Sequence, residues 1–154
     1  MIGRVQRSGD FERVLRTPSR SRTHHFALHH LAQRPSVFRP KPAAGDLSTG
    51  PGEAQDRAVD ETPPAESKVD PPDRLWWGMV VPKRHARRSV TRSLLKRQIR
   101  SCAAGVGETL AAGLWVVRLR APFDPKDYPS AASDALKQAA RAELLVLLGR
   151  AARA

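Results

Sequence analysis

Only one cysteine stands among the 154 residues, so no disulfide can close within the chain. Cys102 reads as a buried structural thiol in a reducing compartment, well ahead of a nucleophile. Long apolar runs are missing too. None reaches the roughly 18 residues that a bilayer-spanning helix requires, and the opening MIGRVQRSGDFERV has no apolar core such as a secretory signal carries. The expectation is a cytoplasmic protein with no membrane partner. Carboxylates are scarce, 15 against 27 lysines and arginines, for a net charge of +12. In a chain sized for one domain with an appendage, that excess points to nucleic acid. Catalytic signatures are also lacking: there is no GxSxG, HExxH or phosphate-loop pattern, and no carboxylate pair where a strand end would present it. A self-contained nuclease site is therefore not expected.

What is present is concentrated between Leu75 and Arg100, LWWGMVVPKRHARRSVTRSLLKRQIR, an apolar strand that turns into a basic helix. Lys83, Arg84, Arg87, Arg88, Arg92, Lys96, Arg97 and Arg100 place eight cations in 18 residues without one carboxylate. At about 100° per residue, Arg88, Arg92, Lys96, Arg97 and Arg100 share one side of the helix, and Val90, Leu94, Leu95, Ile99 and Cys102 take the other. Arg88, Arg92, Lys96 and Arg100 form an unbroken i,i+4 ladder of like charge, each step of which is repulsive. Solvated helix faces usually mix signs. This one is arranged for phosphate.

The rest of the chain frames that stretch. In SGDFERVLR, Ser8 or Asp10 can cap a short helix whose apolar stripe is Phe11, Val14 and Leu15. Thr17 to Thr23 reads as a breaker around Pro18, and HHFALHHLAQ as a strand with one buried face. His24, His25, His29 and His30 cluster in sequence, but neighbouring strand residues face opposite ways and no carboxylate or cysteine lies close by in sequence, so no metal site is expected. From Pro35 to Asp73, eight of the 13 prolines and eight of the 15 carboxylates gather in 39 residues. Such a segment buries too little apolar surface to offset its ordering entropy, and residues 35–73 read as a disordered insertion tolerated at the surface. Without it, 23 cations face 7 carboxylates, so residues 1–34 and 74–154, taken as one RNA-binding domain, carry +16.

Leu75 to Val81 is the expected central strand, with Trp76 and Trp77 on opposite faces. Gly105 and Gly107 should end the basic helix. GLWVVRLR supplies another strand, and Ser130 should cap a last helix running to about Gly149, packed through Ala131, Ala135, Leu136, Leu144, Val146, Leu147 and Leu148, with Lys137 and Arg141 in water. A strand, helix, strand unit around the basic helix implies an α/β sandwich with at least one parallel pair.

The segment GMVVPKRHARRSVTRSLLKRQIR resembles the signature region of the bacterial ribonuclease P protein component. In that family a strand and a lysine pair lead into a helix bearing an Arg-Asn-Arg triplet, then Lys-Arg, then Arg. Lys83 and Arg84 take the lysine pair, Arg92 the first triplet arginine, Lys96 and Arg97 the Lys-Arg, and Arg100 the last arginine. GDFERVL is similar to the family's N-terminal helix, with Phe11 and Leu15 at its two aromatic positions. FALHHL is similar to its first strand, with His29 where an aromatic is common, and GLWVVRLRAP to the strand after the basic helix. Ser93 and Leu94 depart from the triplet, losing one amide and one cation.

The resemblance implies an α+β fold, a small mixed sheet with packed helices, in which a left-handed crossover carries the basic helix. It implies a protein with no covalent chemistry and no cofactor of its own. The RNA subunit of ribonuclease P would hold the Mg2+ ions and remove the 5′ leader of precursor tRNA, while one monomeric protein per RNA grips both the leader and the catalytic RNA. By the same resemblance, Lys83, Arg84, Arg87, Arg88, Arg92, Ser93, Lys96, Arg97 and Arg100 bind RNA. Phe11, Leu15 and His29 would line a leader groove with Lys96 and Arg100 at its edge. A general basic RNA-binding or ribosome-associated protein would explain the charge equally well, but not four matching segments in order. A DNA-binding module is disfavoured because a strand, and not a helix joined by a short turn, precedes the basic helix.

Overall fold

The computed structural model describes residues 2–37 and 71–154. The expected insertion at 35–73 lies, except for its first three and last three residues, outside them. Eight elements follow one another: β1 (Gly3–Arg4), α1 (Ser8–Leu15), β2 (Ser19–Arg22), β3 (Phe26–Leu31), β4 (Leu75–Val80), α2 (Ser89–Val106), β5 (Gly113–Leu119) and α3 (Asp134–Arg153). The strands form one sheet in the order β1-β4-β5-β3-β2, with β1/β4 and β4/β5 parallel and the other pairs antiparallel. This is the α+β arrangement expected. No helix among the described residues is long and apolar enough to cross a membrane.

Strand residues alternate between faces, and β5 is apolar on both. Its Leu114 and Val116 meet Val5 and Val14 beneath α1. Trp115, Val117 and Leu119 point the other way, into a larger core with Leu95, Ile99 and Cys102 of α2 and Leu144, Leu147 and Leu148 of α3. Burying each large apolar side chain of this kind stabilises by about 1.5–3 kcal/mol. Trp77 belongs to the larger core and Trp76 to the α1 side.

The β4–α2–β5 crossover is left-handed. The Trp77 carbonyl accepts from Val5 N–H (3.0 Å) on the β1 side, while the Arg74 carbonyl accepts from Gly113 N–H (2.9 Å) on the β5 side. The Trp77 side chain faces α2. Viewed with α2 in front and β4 running upward, an L-residue whose side chain points at the viewer sends its own carbonyl to the right. Hence β1 lies to the right and β5 to the left, the opposite of the hand adopted by about 98% of such units.

Several local expectations change. Residues 17–23 do more than break the chain, since Ser19–Arg22 adds an edge strand to β3. Its inward residue is the small polar Ser21, so no apolar alternation announces it. Neither Ser8 nor Asp10 caps α1; Arg7 takes that position. Asp10 is buried instead, pairing with Arg13 (2.9 Å) and accepting from Ser36 N–H (3.0 Å). Ser133, not Ser130, caps α3 by accepting from Leu136 N–H (3.1 Å), and the helix continues through Gly149. Its buried stripe, Leu144, Leu147, Leu148 and Ala151, keeps i, i+3, i+4, i+7 spacing, which leaves Ala135 and Val146 outside. Gly105 lies within α2, and Val90 is 54% exposed. Val90 sits roughly 140° around the helix from Leu95.

One contact ties the start of β3 to α3. His25 N–H donates to Glu143 Oε1 (2.5 Å), and the His25 ring lies 2.7 Å from Oε2. Burial alone would raise the Glu143 carboxyl, but hydrogen bonds from the His25 backbone, the Thr23 hydroxyl and the His25 ring hold it below its ordinary value. A depressed folded-state pKa stabilises fully above the unfolded value near 4.5 and is lost as pH falls through the folded one. Glu143→Gln should therefore flatten the acid limb of stability against pH below about 4.5, and Glu143→Ala should cost about 1–3 kcal/mol in denaturant titrations at neutral pH.

Candidate nucleic-acid interface

A groove forms because two elements are small. β1 is two residues long, so its ladder with β4 ends where Val5 N–H reaches the Trp77 carbonyl. Beyond that point β4 stays paired with β5 but has no strand on its other side among the described residues. At Gly78 a Cβ would lie 2.6 Å from Phe11 Cε1 and 3.2 Å from Val116 Cγ2. Glycine is thus what lets the Phe11 ring lie against the strand. A cavity of about 340 Å³ opens there, with Phe11 from α1, Gly78 and Met79 from β4, Lys96 and Arg100 from α2, and Arg4 and Gln6 near the start of the chain.

The cations gather around α2. The turn after β4 is closed by His85 and Ala86 N–H donating to the Pro82 carbonyl (both 3.1 Å). From it Lys83, Arg84, Arg87 and Arg88 are exposed, as are Ser93, Arg97 and Arg100 further along, while Lys96 is half-buried. Arg92 is half-buried too, and its Nη1 donates to the carbonyls of Ala86 (2.9 Å) and Arg87 (2.7 Å). It braces the turn from which its neighbours project. Ion pairs among the described residues join Arg13 to Asp10, His25 to Glu143, and Arg34 and Arg74 to Asp73. None involves a cation between Lys83 and Arg100. The first turn of α2 also carries no acid and no side-chain cap. His85 titrates below the usual imidazole value, through burial first and then the positive charges of Arg84 and Arg118.

Phe11, Lys96 and Arg100 therefore meet in one groove, but Leu15 and His29 lie outside its lining. Leu15 packs with the small cluster under α1. His29 is only 8% exposed and its Nδ1 donates to the Thr17 carbonyl (2.9 Å), so it anchors the chain after α1 and offers no free face. Leu94, at the second triplet arginine, packs against the core. Sequence reasoning missed Gly78, Met79, Arg4 and Gln6. A lone glycine inside an apolar strand was the available signal.

A family model described as Ribonuclease P matches residues 3–143. The chain belongs to the Ribonuclease P family. It is 42% identical over 76 residues to the ribonuclease P protein component of Burkholderia pseudomallei strain 1106a, a match covering 49% of this chain and 56% of that protein. It is 40% identical over 90 residues to the ribonuclease P protein component of Bordetella parapertussis, covering 58% of this chain and 69% of that protein. The chain thus spans little more than half the length of the Burkholderia relatives it matches.

Gly78→Ala should force the Phe11 ring aside at a cost of about 1–3 kcal/mol. Adding Phe11→Ala should recover part of that loss, giving a double-mutant cycle in denaturant that is clearly non-additive; strict additivity would mean the ring does not rest on Gly78.

Proposed function

We propose that this chain is the protein subunit of ribonuclease P, a cytoplasmic protein that binds the catalytic RNA and the 5′ leader of precursor tRNA. The observation that carries this is the groove in which the Phe11 ring lies on Gly78 and which Lys96 and Arg100 also line, together with a row of cations with no acid partners among the described residues. A single-stranded leader needs cations for its backbone and a flat face for a base. The groove offers both, with the part-exposed Phe11 ring as its flat face and the buried Trp77 behind it in the lining. Structured RNA is held mainly through phosphates, which suits Lys83, Arg84, Arg87, Arg88 and Arg97 on the turn and helix. Ser93, exposed beside Arg97, extends that contact by a hydroxyl. Arg92 serves it by bracing the turn. Hydrolysis and its Mg2+ ions belong to the RNA in this reading, and the family to which the chain belongs supports it.

Adding the protein to its cognate ribonuclease P RNA at low magnesium should restore cleavage of leader-bearing tRNA. No effect on cleavage would favour a general RNA-binding role instead. In the same system Phe11→Ala should weaken affinity for leader-bearing tRNA by about 5- to 100-fold and leave mature tRNA unaffected; equal losses for both would contradict a leader groove.

A further inference from the structure

We infer that a second cavity, where the 84–88 turn meets the loop between β5 and α3, takes one unpaired nucleotide of a structured RNA. Its base lies against Tyr128 and its phosphate among Arg84, Arg87 and Arg88. This rests on the reading that the α2 cations hold the catalytic RNA, and adds a base contact that a row of phosphate contacts lacks. The cavity measures about 460 Å³ and shares no lining residue with the Phe11 groove.

Its two sides have opposite characters. One carries the three arginines together with His85, with Arg84 and Arg87 free of any side-chain hydrogen bond or ion pair among the described residues. The other is a wall of Phe123, Tyr128 and neighbouring prolines. Contacts across the cavity tie the two together: Arg88 Nη1 donates to the Pro129 carbonyl (3.3 Å) and Thr91 Oγ1 to the Ala131 carbonyl (2.8 Å). The wall itself is fixed from behind. Phe123 lies flat on the His25 ring, centroids 3.9 Å apart and planes 7° from parallel, and meets Tyr128 at 81° and 5.6 Å. His25 is in turn held by Glu143. Phe123 is buried, while Tyr128 is only partly so. An aromatic face ordered before the ligand arrives loses little freedom on binding.

No carboxylate lines the cavity. Asp124 and Asp127 belong to the same loop but lie outside the lining, and the Asp124 side chain accepts from Lys126 N–H (2.9 Å). A duplex backbone would satisfy the arginines and leave the aromatic wall uncovered. An acidic peptide would bring charge without an obligatory flat face. An unpaired nucleotide joins a fixed negative charge to a flat apolar ring through one sugar, and it is in unpaired RNA that aromatic side chains reach bases.

The test uses the full-length protein and its cognate ribonuclease P RNA, reading affinity and chemical protection of individual nucleotides, with thermal midpoints recorded in parallel. Tyr128→Leu should weaken affinity about 5- to 100-fold without changing the salt dependence, and should expose an unpaired nucleotide that the wild-type protein protects. Tyr128→Phe should retain both properties. Arg84→Gln/Arg87→Gln, altering exposed residues only, should expose the same nucleotide even if Tyr128→Leu fails to fold. The preference for leader-bearing over mature tRNA should be unchanged throughout. Wild-type affinity and protections in Tyr128→Leu and in the arginine pair would overturn the cavity's role and assign it another occupant, such as an acidic peptide, while leaving the reading of α2 intact. Failure of the wild-type protein to bind the RNA at all would overturn both.

Discussion

Packing of Leu95, Ile99 and Cys102 against Trp77 and Trp115 fixes a row of like charges that would otherwise push apart. Each i,i+4 step of the ladder costs about 0.2–0.5 kcal/mol, whereas burying Leu95 and Ile99 contributes about 1.5–3 kcal/mol apiece. Burial wins without any acid among the described residues to neutralise the row. Its exposed cations therefore remain available to an external polyanion, and their counterions remain available for release when one binds. The absence of carboxylates between Lys83 and Arg100, visible as composition, becomes a property of one face.

The same economy of structure makes the groove. A two-residue β1 leaves the edge of β4 open just where Gly78 admits the Phe11 ring. α1 supplies the flat group from one side of the sheet and α2 supplies Lys96 and Arg100 from the other. Because β4 and β5 run parallel, the start of α2 lies at the same end of the sheet as the β5–α3 loop, while Lys96 and Arg100 further along line the groove. One helix thus borders two separate cavities, each combining cations with an aromatic ring.

Much of the architecture was legible in the residues. β4 and β5 stand out as short apolar runs, and α2 through its periodicity. β2 did not, because an edge strand reading Ser-Arg-Ser-Arg buries only a serine hydroxyl. The caps slipped because several serines compete near each helix start and tertiary contacts choose among them. Of the candidate site, Phe11, Lys96 and Arg100 line one cavity and His29 lies outside it: strand alternation gives its face but not the Thr17 carbonyl waiting there. Arg92 looked like an RNA contact, yet two carbonyls of the preceding turn hold it. The handedness of the crossover is invisible to composition and came only with the family resemblance; the hydrogen bonds of Trp77 and Arg74 then establish it.

In the proposed function, positive charge with no acid partner among the described residues grips the catalytic RNA from a rigidly packed helix. The most direct measurement is the slope of log affinity against log salt for wild type and for Lys83→Gln/Arg87→Gln/Arg97→Gln, which alters three exposed cations. At about 0.7–0.9 per phosphate contact, the account predicts a slope shallower by about two to three, with an unchanged melting midpoint. An identical slope in the two proteins would contradict it.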